Sequence, residues 1–382
     1  MTLLAACLAA ALLAPAERTP RIDSVVPLAD QPQAVDPATI WYDDFDGPEK
    51  QYTESQGGLD DRVGFGGAGR SMICRYEKGQ QGLGNRKVFF GDSPTGRVVR
   101  KGETFSDVYW RVYVKHQPGW AGGGEAKLSR ITSIASPGWA QAMIGHVWST
   151  GETLTLDPAS GVRGDRVVTT RYNDFANLRW LGNRPAARLP ISAAGESGWW
   201  VCVEARVKLN TPGERDGLMQ LWIDGRLESE RTGLDWRGRY EEHGLNAVFL
   251  ESYWNDGSPV DQTRWLDLFV ISTRPIGPVV APRRPVLLLG GPAPEPGTGW
   301  EAEVADVDAG GGGGAVAWRS RPIAGPTRVM VEAATGSFAG PLAGAVELAP
   351  DTRYAVRVRA AGRAGSPAAW SDWHQVFRTA NQ

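Results

Sequence analysis

Short runs in which every second residue is apolar dominate the chain between Trp41 and about Thr273. In DVYWRVYVK (107–115), one parity carries Val, Trp, Val and Val, and the other carries Tyr, Arg, Tyr and Lys. The run WVCVEARVKL (200–209) alternates in the same way. A period of two is that of a β-strand, whose successive side chains point to opposite faces of a sheet. Gly-rich turns separate the runs and no clear amphipathic helix lies among them, so the pattern predicts an all-β sandwich.

The segment GLMQLWIDG (217–225) predicts a strand that ends in a tight hairpin turn. Residues 218–223 are mostly apolar on both parities, with Gln220 as the exception, which is typical of an inner strand of a sandwich. Asp224 and Gly225 form the Asp-Gly pair that two-residue hairpin turns prefer, because both turn positions need positive φ.

Changes in composition divide the chain into four parts. Residues 1–16 are mostly apolar and resemble a secretory signal peptide or a lipoprotein signal, with Cys7 as a possible lipid anchor. Residues 17–37 are polar and aperiodic, and we assign them to a leader. Residues 38–277 hold the larger sandwich, and residues 278–382 hold a Pro-rich linker and a second unit, with a first strand at 286–289. The N-terminal signal makes a secreted or cell-envelope location, extracellular or periplasmic, the expectation, and no other apolar run reaches the ~18 residues of a membrane span.

Charge and motifs exclude several functions. The chain has 41 basic and 43 acidic residues, so it lacks the basic footprint of a nucleic-acid-binding protein. It contains no zinc-ligand spacing, phosphate loop or nucleotide fingerprint, and we expect no organic cofactor. Asp43, Asp44 and Asp46 could hold a structural calcium ion, although capping of a turn explains them equally well. Cys74 and Cys202 could form a disulfide or remain buried thiols.

The C-terminal part resembles a fibronectin type III domain. Residues 348–354, LAPDTRY, match the corner at which the hydroxyl of such a tyrosine bonds back to the backbone. Trp318 resembles the core tryptophan of an early strand, and the Gly-rich residues 310–314 would form a hairpin loop. The sequence SDW at 371–373 lies where the last strand would begin. We assign this unit no chemistry.

Residues 38–277 resemble the jelly-roll polysaccharide lyases of the alginate-lyase and glucuronan-lyase type, which share the concanavalin-like sandwich. The stretches that carry this resemblance are WYDDFDG (41–47), DVYWRVYVKHQPGW (107–120), GGGEAKLSR (122–130), LNTPG (209–213) and RWLDLFVIST (264–273). Sandwiches of this shape also serve as lectins and hydrolases. Retaining glycosidases on the fold carry an E-x-D-x-E triplet, which this sequence lacks.

The resemblance implies cleavage of a uronate-containing, acidic polysaccharide by β-elimination. This reaction needs a base, an acid for the leaving oxygen, and cations or amides at the carboxylate. We predict His146 as the base, Tyr172 as the acid, and Arg111 and Lys127 as the carboxylate ligands. The predicted substrate-binding residues are Trp148, Tyr109, Tyr113 and Asn173.

Other interpretations remain open from the sequence. His146 could be a surface or core histidine, Tyr172 an ordinary strand aromatic, and Lys127 a loop charge. The main alternative function is a carbohydrate-binding or adhesion protein without catalysis, and a third is a glycoside hydrolase with an unfamiliar acid pair. We expect a monomer, and the sequence does not indicate which uronate is recognised.

Overall fold

A computed structural model describes residues 21–122, 125–182, 185–290, 299–309, 314–324, 327–361 and 368–381. The predicted signal (1–16), its Cys7 and most of the Gly-rich loop at 310–314 lie outside the described residues. The described chain is all-β, as predicted, and its only helices are 3-10 turns at Pro32–Ala34, Phe65–Gly67, Ala194–Glu196 and Gly340–Leu342. No helix in this part of the chain has the length and apolarity needed to cross a membrane.

The strands are, in chain order, β1 (Arg21–Val25), β2 (Thr39–Asp43), β3 (Glu54–Gln56), β4 (Gly58–Asp60), β5 (Ser71–Tyr76), β6 (Gly82–Phe90), β7 (Val98–Val99), β8 (Asp107–His116), β9 (Lys127–Ile134), β10 (Gln141–Thr150), β11 (Thr153–Ser160), β12 (Val162–Arg163), β13 (Arg166–Val167) and β14 (Arg179–Trp180). They continue with β15 (Trp200–Lys208), β16 (Gly217–Ile223), β17 (Arg226–Leu234), β18 (Ala247–Tyr253), β19 (Gln262–Ser272), β20 (Val280–Ala281), β21 (Val286–Gly290), β22 (Gly299–Asp306), β23 (Ala315–Ser320), β24 (Arg328–Met330), β25 (Gly336–Phe338), β26 (Arg353–Ala361) and β27 (His374–Thr379).

Two eight-stranded sheets form the first sandwich. One, which we call the groove sheet, has the order β14-β11-β10-β9-β18-β6-β3, with β7 beside β6. The other, which we call the docking sheet, has the order β17-β16-β15-β8-β19-β5-β4, with β2 beside β19. Within these paths all pairings between neighbouring strands are antiparallel. Each sheet therefore has one face toward the shared core and one face outward.

The alternation in β8 and β15 sets the core of the first sandwich. The predicted apolar faces of both strands lie in the largest buried cluster, which includes Trp110 and Val207. The indole N–H of Trp110 donates to Ser129 Oγ on the groove sheet, 2.9 Å away. Opposite parity places Arg111 and Tyr113 on the outer face of the docking sheet, as the period of two requires.

The hairpin between β16 and β17 has the geometry that the Asp-Gly pair predicts. Asp224 has φ 46° and Gly225 has φ 73°, so both turn residues occupy the left-handed region. The core-facing residues of β16 are Met219, Leu221 and Ile223, all in the main cluster. The predicted inner-strand character is confirmed, because β16 lies between β15 and β17.

Residues beyond 277, together with β1, form a second sandwich that packs on the docking sheet. Its six-stranded sheet has the order β20-β27-β26-β22-β23-β25, and its three-stranded sheet has the order β1-β21-β24. Trp318 is fully buried in its core, as predicted. The N–H of Ala349 donates to the hydroxyl of Tyr354 across 3.1 Å, so the expected tyrosine corner bond is present. The assignment to the fibronectin type III class stays a prediction.

The two sandwiches share one apolar cluster. Phe65, Tyr113, Trp200 and Cys202 of the first sandwich are buried together with Trp300, Val356 and Phe377 of the second. Cys74 lies in the other cluster, between the two sheets of the first sandwich. Both cysteines are free thiols, because they occupy opposite faces of the docking sheet.

The assignment of residues 17–37 to a leader is wrong for Arg21–Val25. These residues form β1, which pairs antiparallel with β21 and closes the smaller sheet of the second sandwich. Ile22 and Val25 are buried in the shared cluster. The segment is too short for its periodicity to be recognised in the sequence, and its partner strand lies more than 250 positions away.

His374, at the start of β27, binds the backbone of β1 as a neutral imidazole. The N–H of Ile22 donates to Nε2 across 2.8 Å, and Nδ1 lies 3.1 Å from the carbonyl of Asp372. Nδ1 therefore carries the proton and Nε2 accepts. Burial, reinforced by the nearby Arg21 charge, lowers the pKa of His374 to about 4.

This histidine predicts an acid-sensitive second sandwich. Its pKa is about 4 in the folded chain, against an ordinary histidine value of 6.5. The unfolded chain thus binds more protons between those values, and stability falls as pH drops from about 6.5 to 4, by roughly 3 kcal/mol at most. In urea unfolding at several pH values, the variant His374→Gln should lack this part of the slope. Equal slopes in variant and parent would contradict the assignment.

Candidate functional site

The outer face of the groove sheet carries an open groove of about 800 Å³. A row of side chains on directly opposed residues crosses this face from β11 to β3. Its members are Asp157, His146, Arg130, Phe249, Lys87 and Glu54. Five of the six are ionisable or imidazole side chains, and Arg130 and His146 are almost fully buried. A charged row on the face of a sheet that does not contact the other sheet is a marker of function rather than of folding.

A bulge places Lys127 on the groove face. Lys127 and Arg130 are three positions apart, so strict alternation would put them on opposite faces. The register between β9 and β10 shifts between Val147 and Trp148, and Trp148 is opposite Lys127. Leu128 accordingly joins the core, while Lys127 lines the groove beside Trp148. Bulges commonly re-aim a side chain in this way next to active sites.

The loop from β13 to β14 covers part of the groove sheet and forms one wall of the groove. Tyr172 packs against Trp139 and Phe249, with ring centroids 5.5 and 6.3 Å apart. Farther along the loop, Leu178 packs on Ile144 and Ala159 of the sheet. These hydrophobic contacts cover the sheet only around Tyr172 and Leu178. His146 and Trp148 still line the open groove.

One connected cluster joins this loop to the sheet. Arg130 Nε donates to Glu251 Oε2 across 2.7 Å, and Arg130 Nη1 donates to Asn173 Oδ1 across 2.7 Å. The hydroxyl of Tyr172 donates to the other oxygen of Glu251, 2.8 Å away. The backbone N–H of Asn173 donates to Gln141 Oε1 across 2.8 Å, which fixes the left-handed backbone at this residue. Among the residues that the structure describes, no acceptor lies within hydrogen-bond distance of Arg130 Nη2.

The cluster shifts the pKa of two of its members in opposite directions. Burial alone would raise the pKa of Glu251, but the adjacent Arg130 guanidinium lowers it below its ordinary value. Burial and the Glu251 carboxylate raise the pKa of Tyr172 well above its ordinary value, although Arg130 opposes them. At neutral pH the site therefore presents a charged guanidinium–carboxylate pair and a protonated phenol.

The pKa of Lys127 is lowered, in contrast to that of Tyr172. Burial, and to a lesser extent the positive charge of Arg130, lowers the pKa of its ammonium group. The Nζ atom lies 4.5 Å from the centroid of the Tyr253 ring, which forms another part of the groove wall. A lysine with a lowered pKa can supply a neutral amine more readily than an exposed lysine can.

His146 and Trp148 form the floor of the groove. Their rings lie 5.6 Å apart at 16°, on alternate positions of β10, so the predicted shared face is confirmed. His146 is 2% exposed and both of its ring nitrogens are buried. Asp157 lies directly opposite it on β11. His146 and Trp148 both line the groove despite this burial.

The structure brings together five of the eight predicted site residues and separates the other three. Lys127, His146, Trp148, Tyr172 and Asn173 all line the groove.

Arg111, Tyr109 and Tyr113 are corrected, because they lie on the outer face of the docking sheet, across the core from the groove. Arg111 donates to the carbonyl of Gly277 across 2.8 Å, and Tyr113 Oη accepts from the N–H of Val279. Tyr109 instead packs beside Trp222 and Arg206.

Sequence reasoning missed the two charged residues at the centre of the site. Arg130 follows Lys127 in the segment GGGEAKLSR, and Glu251 is in the strand AVFLESY. The available signal was a charged residue among apolar residues within a strand. A charge that becomes buried there needs a partner of opposite charge. Lys87 was missed for the same reason, and its ammonium lies within 5.5 Å of the ring centroids of Trp139, Tyr172 and Phe249.

The carboxylates considered for calcium have partners within the protein. Asp43 accepts from the N–H of Phe45 and the hydroxyl of Tyr52, and Asp46 accepts from the N–H of Arg70. Asp44 accepts from the N–H of Asp46. No group of three or more potential metal ligands occurs within the described ranges. The bonds from Phe45 to Asp43 and from Asp46 to Asp44 are local caps of a turn, whereas those from Tyr52 and Arg70 come from more distant residues.

No protein-family model matches the chain, and no curated protein sequence is similar to it. Some solved structures are similar in part. An endo-beta-1,4-glucuronan lyase from the fungus Trichoderma reesei aligns with 62% of this chain and 96% of its own, at 14% identity and a TM-score of 0.42. Alginate lyase vAL-1 from Chlorella virus covers 58% and 99%, at 12% identity and 0.39. Alginate lyase Aly36B covers 62% and 97%, at 15% identity and 0.40.

These values describe a partial likeness. The chemistry of the groove therefore has to follow from this chain's own contacts.

Proposed function

We propose that the groove binds a uronate-containing glycan and cleaves it by β-elimination, which makes the protein a polysaccharide lyase. One observation carries this proposal. A buried arginine, an amide, a protonated phenol and a lysine of lowered pKa converge in one groove with aromatic walls. Export of the enzyme remains a prediction of its N-terminal sequence.

The reaction defines what each group must do. A base takes the proton from the carbon that bears the carboxylate, and the electron pair forms a double bond to the neighbouring ring carbon. The bond from that carbon to the glycosidic oxygen breaks, and the oxygen takes a proton from an acid. Negative charge develops on the carboxylate side before the bond breaks, so a cation there lowers the barrier.

Arg130 and Asn173 are assigned to the sugar carboxylate. Arg130 replaces Arg111 in this role, since only Arg130 lines the groove. Its Nε and Nη1 are held by Glu251 and Asn173, so the guanidinium plane is fixed before a ligand arrives. Glu251 offsets the charge of Arg130 and Glu54 offsets that of Lys87, so the attraction of an anion rests on the directed N–H groups of the site and on Lys127 while it is protonated.

Lys127 is assigned as the base. The sequence favoured His146, which also lines the groove, but Lys127 is preferred because it combines a place in the groove wall with a lowered pKa. His146 then supports Trp148 and the adjacent Arg130 from beneath. Proton abstraction by a neutral amine is general base catalysis, which commonly contributes 10²–10⁴-fold.

Tyr172 is assigned as the acid. Its raised pKa keeps the phenol protonated at neutral pH, so a proton is available when charge develops on the leaving oxygen. The Glu251 carboxylate accepts the hydroxyl hydrogen bond and orients it before the substrate arrives.

A panel of polymers tests the function. The full chain is incubated with alginate, glucuronan, pectic and heparin-like polysaccharides, and the ultraviolet absorbance of unsaturated uronate is followed. New absorbance with one of them is the expected result. Reducing ends without this absorbance would instead indicate a hydrolase, and retention on a polymer without cleavage would indicate a binding protein.

The substitutions Tyr172→Phe and His146→Gln should distinguish a residue that transfers a proton from one that only forms the floor of the groove. We expect Tyr172→Phe to lower kcat by about 10²-fold or more, because it removes only the hydroxyl. His146→Gln should lower kcat less, because no proton passes through it. Near-normal turnover in Tyr172→Phe would remove that residue from the reaction, and a larger loss in His146→Gln would restore the histidine as the base. Melting temperatures show whether both variants remain folded.

A further inference from the structure

All three exposed aromatic side chains in the described ranges lie in the groove. Phe175 is 52% exposed, Trp180 is 42% exposed and Tyr253 is 38% exposed, and each of them lines the groove wall. The other exposed large apolar residues are aliphatic side chains or methionine, and none of them lines the groove. Large aromatic faces left in water at a single place indicate a surface that binds something apolar.

Phe175 and Trp180 form one flat surface, which we call the platform. Their ring centroids are 6.4 Å apart and their planes differ by 21°. Trp180 belongs to β14, the edge strand of the groove sheet, and Phe175 follows Asn173 by two positions in the covering loop. The platform therefore continues the groove beyond the cluster that contains Asn173.

Hydrogen bonds hold the platform in place before any ligand binds. Buried Asp174 accepts from the backbone N–H and the hydroxyl of Thr170 and from the side-chain amide of Asn177. Leu178 is packed into the sheet, and the N–H of Leu181 donates to the carbonyl of Pro158 across 2.9 Å. A surface that is already ordered binds its ligand without the entropy cost of ordering it.

The position of the platform sets what it can bind. Trp180 is on β14, three strands from Arg130 on β9, which corresponds to about 14 Å at the ~4.8 Å spacing of paired strands. This distance exceeds the size of one sugar ring. The apolar C–H face of a pyranose ring fits against aromatic faces of this kind, whereas a carboxylate does not.

We propose that Phe175 and Trp180 form a second sugar position, which stacks on a ring of the same glycan chain away from the reacting uronate. This inference rests on the proposed function, because it takes the reacting uronate to lie at Arg130. It predicts that long substrates gain affinity at the platform, whereas short substrates that occupy only the reacting position do not.

The test compares Phe175→Ala, Trp180→Ala and the double variant on the polymer that the parent cleaves and on the shortest oligosaccharide that it cleaves. In the double variant we expect KM for the polymer to rise roughly tenfold, with kcat within about twofold. Both parameters for the short substrate should stay unchanged. Leu227→Ala is the matched control, because Leu227 is 46% exposed but lies on β17 of the docking sheet. An unchanged KM for the polymer, or an equal rise in KM for both substrates, would contradict the proposal that the platform is a second sugar position.

Binding measured without turnover distinguishes the two proposals. Each polymer of the panel is titrated calorimetrically into the parent and the double variant, with Tyr172→Phe as the background if cleavage occurs. Weaker binding to the double variant in a protein that cleaves nothing would support the platform and reject the lyase. Cleavage with equal binding to both proteins would support the lyase and reject the platform, and failure of every polymer to bind would reject the platform as well.

Discussion

Replacing Arg130 with methionine is expected to abolish turnover and to lower the free energy of unfolding by about 3–5 kcal/mol. The Arg130 side chain is fully buried and that of Glu251 is 9% exposed, with 2.7 Å between the paired atoms. Without the guanidinium, the buried Glu251 carboxylate loses the charge with which it is paired, and Asn173 Oδ1 loses its donor. Turnover fails because the substrate carboxylate no longer meets a positive charge. Chemical unfolding and ultraviolet assays measure the two effects separately.

The double variant Arg130→Met, Glu251→Met separates stability from chemistry. Replacing both members of a buried ion pair by apolar side chains of similar volume often costs little. We therefore expect most of the stability to return while turnover stays lost. Recovery of activity together with stability would show that the pair is structural and would contradict the role of Arg130 at the sugar carboxylate.

Replacing Lys127 with arginine is expected to lower kcat/KM by about 10²–10⁴-fold. Arginine keeps the positive charge but stays protonated at all accessible pH values, so it cannot accept a proton. If Lys127 only attracted the substrate carboxylate, arginine would serve nearly as well, and an active variant would contradict its role as the base. Lys115→Arg is the control, because Lys115 forms an ion pair with Asp23 on the outer face of the docking sheet.

The pH profile provides an independent measurement of the same assignment. A lysine acts as a base only when it is neutral, so kcat/KM should rise as pH rises through the pKa of Lys127. Because burial lowers that pKa below the ordinary lysine value of 10.5, the rise should be complete at a lower pH than an exposed lysine would require. The residual activity of Lys127→Arg should lack this limb of the profile.

The alternation of apolar residues was enough to predict the sandwich and the faces of its central strands. The face shared by His146 and Trp148 follows from the period of two, and so does the core face of β15. A strand pattern separates two sides without showing what covers either of them. For that reason Arg111 and Tyr113 could be assigned to an outer face but not recognised as lying beneath the second sandwich.

The charged centre of the site depends on contacts between distant segments. Arg130 and Glu251 are 121 positions apart, and their pairing depends on the neighbouring positions of β9 and β18. Lys127 reaches the groove through a bulge, which a strictly alternating pattern does not predict. Tyr172 and Asn173 were found by residue type, whereas their contacts depend on the path of a loop without periodicity.

The apolar cluster shared by the two sandwiches has a practical consequence for dissecting the protein. A fragment spanning residues 38–277 would keep all the groove residues but would leave Phe65, Tyr113 and Trp200 facing water. It would also lose β1, and the carbonyl of Gly277 would become a chain end beside Arg111. Such a fragment would tend to aggregate, so a loss of activity on truncation would report solubility and would not assign a catalytic role to the C-terminal part.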